Sequence, residues 1–475
     1  MKFTTVSHAC LYIEHGDIRL LVDPWVCGSC YWRSWWNYPE VSNELIESLN
    51  PTHIYITHLH WDHYHGPSLR RFHDINPKIL LPKHFNKRMK NDIFKDFKFN
   101  NVKELDHGRK YFLENDFQIV SYQFNPFIID SVLAVEADDI TLLNFNDSKT
   151  FGFSLGQIIK NHPNVDFVFR SHSSATPIPQ CIKGIDIEKT DRTPEDYAND
   201  FIALAKATKT KYAIPFASSH IYLHPLAKKF NKYYSNPSFV KKRFDSKINY
   251  KQDCFVMVSN SSWSKESGFK IKNHDFSRLE SDIFEYSKKA SSKLERLFQI
   301  ENKQLLNEKA FKNYFIKFLK ATSFPIKLLN FKFGFLINEK RSLTDYLCIV
   351  DGNKLNTKII KLKSKNEIYN HELDFIIKTP IYVFNDCNVK YMHNTFTPSK
   401  LLEVIIASKK GQKKLSRYLQ LVDLYENDCL PLYRLINLRN IIIIFRRFRE
   451  LFDILFYFYK VRIRKKKIYQ LYSEL

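Results

Sequence analysis

Long uninterrupted apolar runs are what this 475-residue chain most plainly lacks. Its apolar stretches are broken by charge too often for a bilayer span, which needs about 20 consecutive apolar residues. The opening residues Met1 to Thr5 carry no apolar signal region, so no secretory leader is expected. Cysteine is sparse and scattered: eight residues, of which Cys27-Gly28-Ser29-Cys30 makes a lone close pair. A structural zinc site needs four ligands, so this pair is read as incidental. These absences predict a protein of the reducing cytoplasm. Repeats and low-complexity linkers are missing too, as is any Cys-x-His…Cys-x-x-His set of the Rieske type.

What is present suffices for a large core. An apolar share of 44% and an aromatic share of 15% exclude wholesale disorder, and the length allows roughly two to four domains. The net charge of +23 invites a nucleic-acid partner. Lys, Asn, Ile and Phe are all abundant, however, as an AT-biased genome produces, and much of the basic excess lies near the C-terminus. Charge alone is weak evidence of a partner.

The densest chemistry is Thr57-His58-Leu59-His60-Trp61-Asp62-His63, which follows a β-type run at 54–56 and leads through His65-Gly66-Pro67 into a helix-like segment. Alternate residues of an extended loop point the same way. The turn can therefore aim His58 and His60 at one metal and Asp62 and His63 at another. Imidazole with carboxylate suits zinc, iron or manganese. An isolated His pair would read as a surface loop; the full His-x-His-x-Asp-His spacing after a strand favours a metal.

This spacing resembles the signature of the metallo-β-lactamase-fold superfamily. Its context, over about residues 1–265, resembles the branch containing the ascorbate-phosphate lactonases and the metallohydrolase-like domain of CMP-sialic acid hydroxylases. The resemblance implies an α/β fold, an αββα sandwich with its site at one sheet edge. It also implies one or two divalent ions, zinc first, with iron or manganese as alternatives. Ser7-His8-Ala9 resembles the Gly-His-(Ala/Ser) opening of the branch, with Ser for Gly. By the match, Asp23 supports the metal loop from behind, and Asp147, just beyond an apolar strand, can bridge two metals. Without the family, Asp23 is equally a strand-ending turn carboxylate, and Asp147 part of a turn-forming Asn/Asp end. Pro215-Phe216-Ala217-Ser218 followed by a His resembles the last metal motif. Offset favours His224 and nearness to the strand end favours His220; His224 is preferred and both are kept.

Residues 28–36, with Trp32, Trp35 and Trp36, resemble an aromatic loop of the branch. They can wall a substrate cleft, with Arg33 as an anion contact, or pack as a lid on the sheet. The polar loop that often faces substrate falls at 171–177, where His172 is a substrate contact, a general acid, or a solvent-exposed loop residue. One departure stands out. The superfamily usually supplies another His between the first cluster and the bridging Asp, and residues 122–130 contain none. Either Asn125 or Asp130 replaces it, or one metal position is weak, so one ion or two remain open.

The order of elements is coarse but readable. A hairpin is expected over 2–23 with its turn at 14–17. Strands follow near 117–122, 140–147, 165–170 and 212–216. A helix opens at Thr193-Pro194-Glu195-Asp196 with a capping box and Pro at its first position. Beyond about 268 the character changes. The expected division is a metallohydrolase domain over 1–268, a smaller α+β accessory domain over 269–410, and a basic amphipathic helical tail over 411–475. Within 439–460, Arg446, Arg447, Arg449, Glu450 and Asp453 fall on one helical arc of about 160° at 100° per residue, opposite Ile, Leu and Phe. Such a helix can lie peripherally on the anionic inner face of a membrane. Docking on the accessory domain is the preferred reading.

The readings converge on a metal-dependent hydrolase using a metal-bound hydroxide, with Asp147 positioning it and Asp62, if not a strict ligand, shuttling the proton. Family context points to a small phosphorylated, sugar-derived or nucleotide-sugar substrate. An iron-dependent oxidoreductase on the same fold, a nucleic-acid-processing nuclease and a catalytically inactive binding protein are the alternatives.

Overall fold

Gly16 starts the fold. In a computed structural model, which describes residues 1–474 except 115, 125–126, 128–129, 174–177, 186–192 and 249–250, it takes φ +54° in the turn between strands Leu11–His15 and Ile18–Val22. That left-handed conformation is cheap only for glycine. Around this hairpin grows an eight-stranded sheet, ordered Gly268–Lys270, Ser261–Ser264, Lys2–Thr5, Leu11–His15, Ile18–Val22, His53–Tyr55, Lys78–Pro82, Val102–Leu105. Pairing is antiparallel up to Ile18–Val22 and parallel beyond it. A seven-stranded sheet faces it, ordered Asp253–Cys254, Tyr212–Phe216, Phe167–Ser171, Ile140–Asn146, Ser131–Ala137, Phe117–Gln123, Lys110–Glu114. Its first four strands are parallel.

The period of two along each strand sorts side chains between layers. Leu20 and Val22 enter the core between the sheets with Phe3, Tyr55, Leu133 and Phe167. Leu21 points the other way, onto Ile54, Leu69, Ile79 and Phe99. On the second sheet Leu142 faces inward, while Leu143 meets Leu155, Ile158 and Leu204 of helices Gly152–Asn161 and Pro194–Thr208. Helices therefore cover both outer faces, giving the αββα sandwich. The expected capping box also forms: Asp196 N donates to Thr193 Oγ1, and Thr193 N to Asp196 Oδ2 at 3.2 Å. The parallel strands Ile18–Val22, His53–Tyr55, Ile140–Asn146, Phe167–Ser171 and Tyr212–Phe216 all end at one edge. Ligand sites of open α/β sheets lie outside such carboxyl ends.

A five-stranded sheet follows, ordered Asn356–Leu362, Thr344–Asp351, Lys332–Glu339, Phe375–Lys378, Glu403–Ile406. Its core joins Phe315, Phe333 and Phe335 to Tyr418 and Val422 of helix Gly411–Glu426. The division expected at 411 would cut this core, because the apolar face of that helix completes the sheet's packing. Tyr31, Trp32 and Trp35 belong to the same core. The aromatic loop is thus the joint between sandwich and accessory part rather than a lid on its own sheet. Trp32 Nε1 donates to Asp386 Oδ2 at 2.8 Å, and Trp35 Nε1 to Pro398 O at 2.8 Å.

Glu426 ends this helix inside the accessory core. Its carboxylate accepts from Tyr314 Oη at 2.7 Å, His393 N at 2.7 Å and Asn394 N at 3.0 Å, and burial lifts its carboxyl from the ordinary 4.5 to about 7. The folded chain holds this proton more tightly than the unfolded one. The stability this confers is complete below about pH 4.5 and is lost as pH rises through about 7. Against Glu426→Gln, which does not titrate, the wild-type unfolding free energy is expected to fall by about 3 kcal/mol across that window, at about 1.4 kcal/mol per pH unit. Denaturant melts of both proteins at pH 4.5 and pH 8 check this; a difference that ignores pH would refute it.

The tail departs from its expected place. It docks on the sandwich, not on the accessory part, because its charges find partners there. Arg447 donates to Gln123 Oε1 at 2.8 Å and to Gln123 O at 2.7 Å, and it pairs with Glu450. Asp453 accepts from Phe153 N at 2.8 Å, Ser154 N at 3.0 Å and Ser154 Oγ at 2.7 Å. A carboxylate there satisfies donors that the first turn of helix Gly152–Asn161 leaves open. Lys467 pairs with Asp196 at 2.9 Å. Among the described residues, no helix is long and apolar enough to cross a membrane.

Candidate metal centre

The loop after strand His53–Tyr55 coils on itself. His63 N and Tyr64 N both donate to His60 O, at 3.1 and 2.7 Å, which draws three imidazoles together. Asp23 holds this coil from behind. At φ +47°, a conformation Asp tolerates, its buried carboxylate takes Thr57 N on Oδ1 at 2.7 Å. Its Oδ2 takes Thr57 Oγ1 at 2.7 Å, His63 Nδ1 at 2.8 Å, and Asn146 Nδ2. Ser131 Oγ donates to Thr57 O at 2.7 Å and ties in the second sheet. His63 Nε2 is thereby aimed into the site.

Among the described residues, three overlapping groups of metal-capable side chains gather here, each with one ligand atom per residue within 4.8 Å of the others. In the first, His8 Nε2 and His63 Nε2 lie 3.2 and 3.3 Å from Asp62 Oδ2. In the second, His58 Nε2 lies 2.8 Å from His60 Nδ1 and 3.9 Å from Asp130 Oδ1. In the third, His58 and His63 meet Asp147, with His63 Nε2 3.3 Å from Asp147 Oδ2. Because His58 and His63 are shared, the donors form one continuous patch. Tyr31 Oη fixes Asp62 by donating to its Oδ1 at 2.5 Å.

Burial and mutual charge set the electrostatics. Burial works to raise the Asp62 carboxyl, but His63 and His8 hold it well below the usual carboxylate range. Asp147, which burial also works to raise, is held down at about 2 by His63. Burial opposes a charge on His63, yet Asp62 and Asp23 lift it well above the usual imidazole range. Burial and the neighbouring imidazoles His63 and His60 push His58 well down. Asp130 is raised by burial, with Asp147 adding to the effect.

His8, His60, Asp62, Asp130 and Asp147 of this patch floor a cavity of about 390 Å³, with His58 and His63 behind them. Solvent reaches 24% of the Asp130 side chain and 34% of Asp147. Tyr31, Trp35, Phe124, Lys149, Phe151 and His220 stand in its walls, and Ile454, Tyr457 and Ile468 of the tail complete them. A divalent cation fits the donors present. Both ring nitrogens of His8 and Nε2 of His63 are buried without a hydrogen-bond partner, and three carboxylates crowd one spot whose mutual repulsion a cation would relieve.

Several expected residues fall elsewhere. His224, preferred over His220, turns away: its Nε2 bonds Tyr382 Oη at 2.8 Å in a separate cleft. His220 instead reaches the cavity wall, stacked on Trp35 with ring centroids 3.7 Å apart. Strand Tyr212–Phe216 and the short strand His220–Tyr222 bracket a tight turn, so nearness to the strand end outweighs offset. Arg33 is no anion contact here: it pairs with Glu301 and faces the Tyr382 ring. His172 is neither exposed nor at the cavity. Its Nε2 contacts Ser235 O at 3.2 Å and burial lowers it to about 4, while Ser171 and Ser173 face the cavity. Buried off the cavity and turned to Ser235 O, His172 is not placed for the substrate contact or for the general-acid role. Asn125 lies outside the described residues; Asp130 stands beside His58 and His60.

Sequence reasoning passed over Tyr31, Lys149 and Asp423. Asp423, on helix Gly411–Glu426, feels both His60 and Asp130, and burial raises its carboxyl to about 6. No local signal marks it, since it arrives from some 360 residues away through the accessory packing.

Residues 2–152 match the family model described as the beta-lactamase superfamily domain. This stretch is a beta-lactamase superfamily domain. The matched segment runs from the first strand through the metal loop to Asp147; His172 and His220 lie beyond it. The human inactive cytidine monophosphate-N-acetylneuraminic acid hydroxylase is 36% identical to this chain over 82 residues, 17% of this chain and 16% of that protein. The hydroxylase of Pongo pygmaeus shows the same identity over 82 residues, 17% of this chain and 14% of its own length. The chain thus matches only a small fraction of these relatives. Among solved structures, similarity extends to a diiron beta-hydroxylase from Streptomyces venezuelae (17% identity, TM-score 0.38, 54% of this chain and 53% of that one). It extends also to a possible metal-dependent hydrolase from Veillonella parvula (12% identity, TM-score 0.40, 55% and 98%).

Proposed function

We propose that the chain is a metal-dependent hydrolase acting on a small phosphorylated or sugar-derived molecule in the cytoplasm. The observation that carries this reading is the continuous patch of imidazole and carboxylate donors at the floor of a cavity that solvent enters. His58, His60 and Asp130 would hold a cation on one side, His8, Asp62 and His63 on the other, with Asp147 between them. Zinc is the first expectation for such a set. A cation held there lowers the pKa of a bound water toward neutrality and polarises an acyl or phosphoryl oxygen.

The chain's own residues do the rest. Asp23 and Tyr31 hold His63 and Asp62 in orientation. Asp130 and Asp147, the two carboxylates that solvent reaches, are placed to accept a proton from water entering the cavity. Lys149 offers a cationic wall for a phosphate, and Trp35, Phe124 and Phe151 an apolar wall for a sugar face. Eight free thiols suit a reducing compartment.

A second reading, an iron-dependent oxidoreductase on the same fold, is favoured by the 82-residue similarity to hydroxylases. One preparation separates the two. Protein purified without chelator is expected to hold about one or two equivalents of zinc and to cleave a phosphoester or lactone from a substrate panel. That activity is expected to vanish with chelator and return with metal. Bound iron with reductant-dependent oxygen uptake would transfer the assignment to the second reading. Uptake of none of zinc, iron or manganese would end both.

A further inference from the structure

The tail is amphipathic in the wrong sense for a helix docked on its own protein. Surface helices bury the apolar stripe and expose charge; here three charged side chains go in while a row of large apolar ones stays out. Arg447, Glu450 and Asp453 are buried against the sandwich. Leu438, Ile441, Phe445, Phe448, Phe452 and Leu455 are exposed, Phe445 by 78% and Leu455 by 63%. Their spacing alternates 3 and 4 across helices Leu438–Arg446 and Leu451–Tyr457, so they form one stripe along the outside. Ile436, Phe458 and Ile463 extend it, each about half exposed or more. A soluble surface rarely leaves a contiguous apolar patch of this kind without a use for it.

The charge around the stripe selects the occupant. From 432 to 467 the only acidic residues are Glu450 and Asp453, and both are turned inward. Arg446, Arg449, Arg464 and Lys465 are exposed beside the apolar residues. An apolar ridge flanked by outward cations alone complements an anionic bilayer, whose headgroups meet the arginines while the side chains enter the acyl boundary. We propose that this face docks the chain peripherally on an anionic lipid surface. The same segment supplies Ile454, Tyr457 and Ile468 to the cavity wall, so docking sets the cavity beside the bilayer.

Flotation of the full chain with phosphatidylglycerol–phosphatidylcholine vesicles, against pure phosphatidylcholine, tests this. The wild type is expected to float with the anionic vesicles at least about tenfold more than with neutral ones, and less as salt rises. Phe445→Glu with Leu455→Glu should reduce that binding at least about tenfold. Arg446→Glu with Arg449→Glu, both at exposed positions, should erase the anionic preference. Matched circular dichroism confirms that each variant is folded, and the wild-type lipid and salt dependence stands whatever the variants do. Absence of wild-type flotation, equal binding to neutral vesicles, or binding retained in the Phe445/Leu455 variant would overturn the proposal. So would a wild-type dimer that the stripe variant converts to monomer without changing flotation, since a second copy would then be the occupant.

Discussion

Asp62→Asn is expected to strip the centre of most of its metal and to lower turnover at least about a hundredfold while leaving the fold standing. Asp62 is 2% exposed and meets three groups at once: Tyr31 Oη at 2.5 Å, His8 Nε2 at 3.2 Å and His63 Nε2 at 3.3 Å. The amide keeps the shape of the carboxyl but removes the negative charge that helps hold a proton or a cation at His63. It also turns an acceptor into a donor aimed at a ring nitrogen. Loss of an orienting partner alone typically costs a metal site about 10–100-fold in affinity; Asp62 is inside the donor patch, so its loss should fall at or beyond the upper end. Metal content after dialysis, read beside a thermal melt, checks this. A variant that keeps its metal and its rate would remove Asp62 from the assigned role.

Asp23→Ala should have the largest effect on stability at this edge. The carboxylate takes four donors from three residues on two segments: Thr57 N and Oγ1, His63 Nδ1 and Asn146 Nδ2. Alanine takes the shared acceptor from all four; Thr57 Oγ1 and His63 Nδ1 keep only the contacts of Thr57 Oγ1 with His58 Nδ1 at 3.0 Å and with His63 Nδ1 at 3.4 Å. Removing one partner from a buried charged network costs about 3–5 kcal/mol, and the freed His63 ring should lower metal affinity about 10–100-fold. Chemical denaturation of the metal-free protein isolates the first effect, and metal titration of the folded variant the second. Metal affinity untouched despite lost stability would mean that Asp23 only braces the sheet.

Single elements of the sandwich were legible because their signals are local, while their arrangement in layers came from the family resemblance. Alternating residues around Gly16 announce a hairpin, and capping residues at 193–196 announce a helix. The 58–63 spacing lies within one coil of chain, so nearness in sequence already implied nearness in space. The missing middle His was visible as well, with Asn125 and Asp130 as the candidates for its place; the choice between them was not. Asp130 lies beside His58 and His60 because the strand that begins at Ser131 starts at the edge where the parallel strands end. The choice between His220 and His224 turned on a tight return of the chain that offset counting cannot see.

The sequence by itself determined the first hairpin, the chemistry of the donor loop and the existence of an amphipathic tail; the layered sandwich was implied only through the loop's resemblance to a known superfamily. The first three follow from side-chain periodicity and from residue types a few positions apart. Only the tertiary structure decided that the aromatic loop joins two cores, that helix Gly411–Glu426 completes the second, and that Asp423 approaches the centre. It alone decided which way the tail faces. Periodicity tells that a helix has two faces; which one is buried depends on the partners available, and Gln123, His107 and the first turn of helix Gly152–Asn161 drew in the charged one.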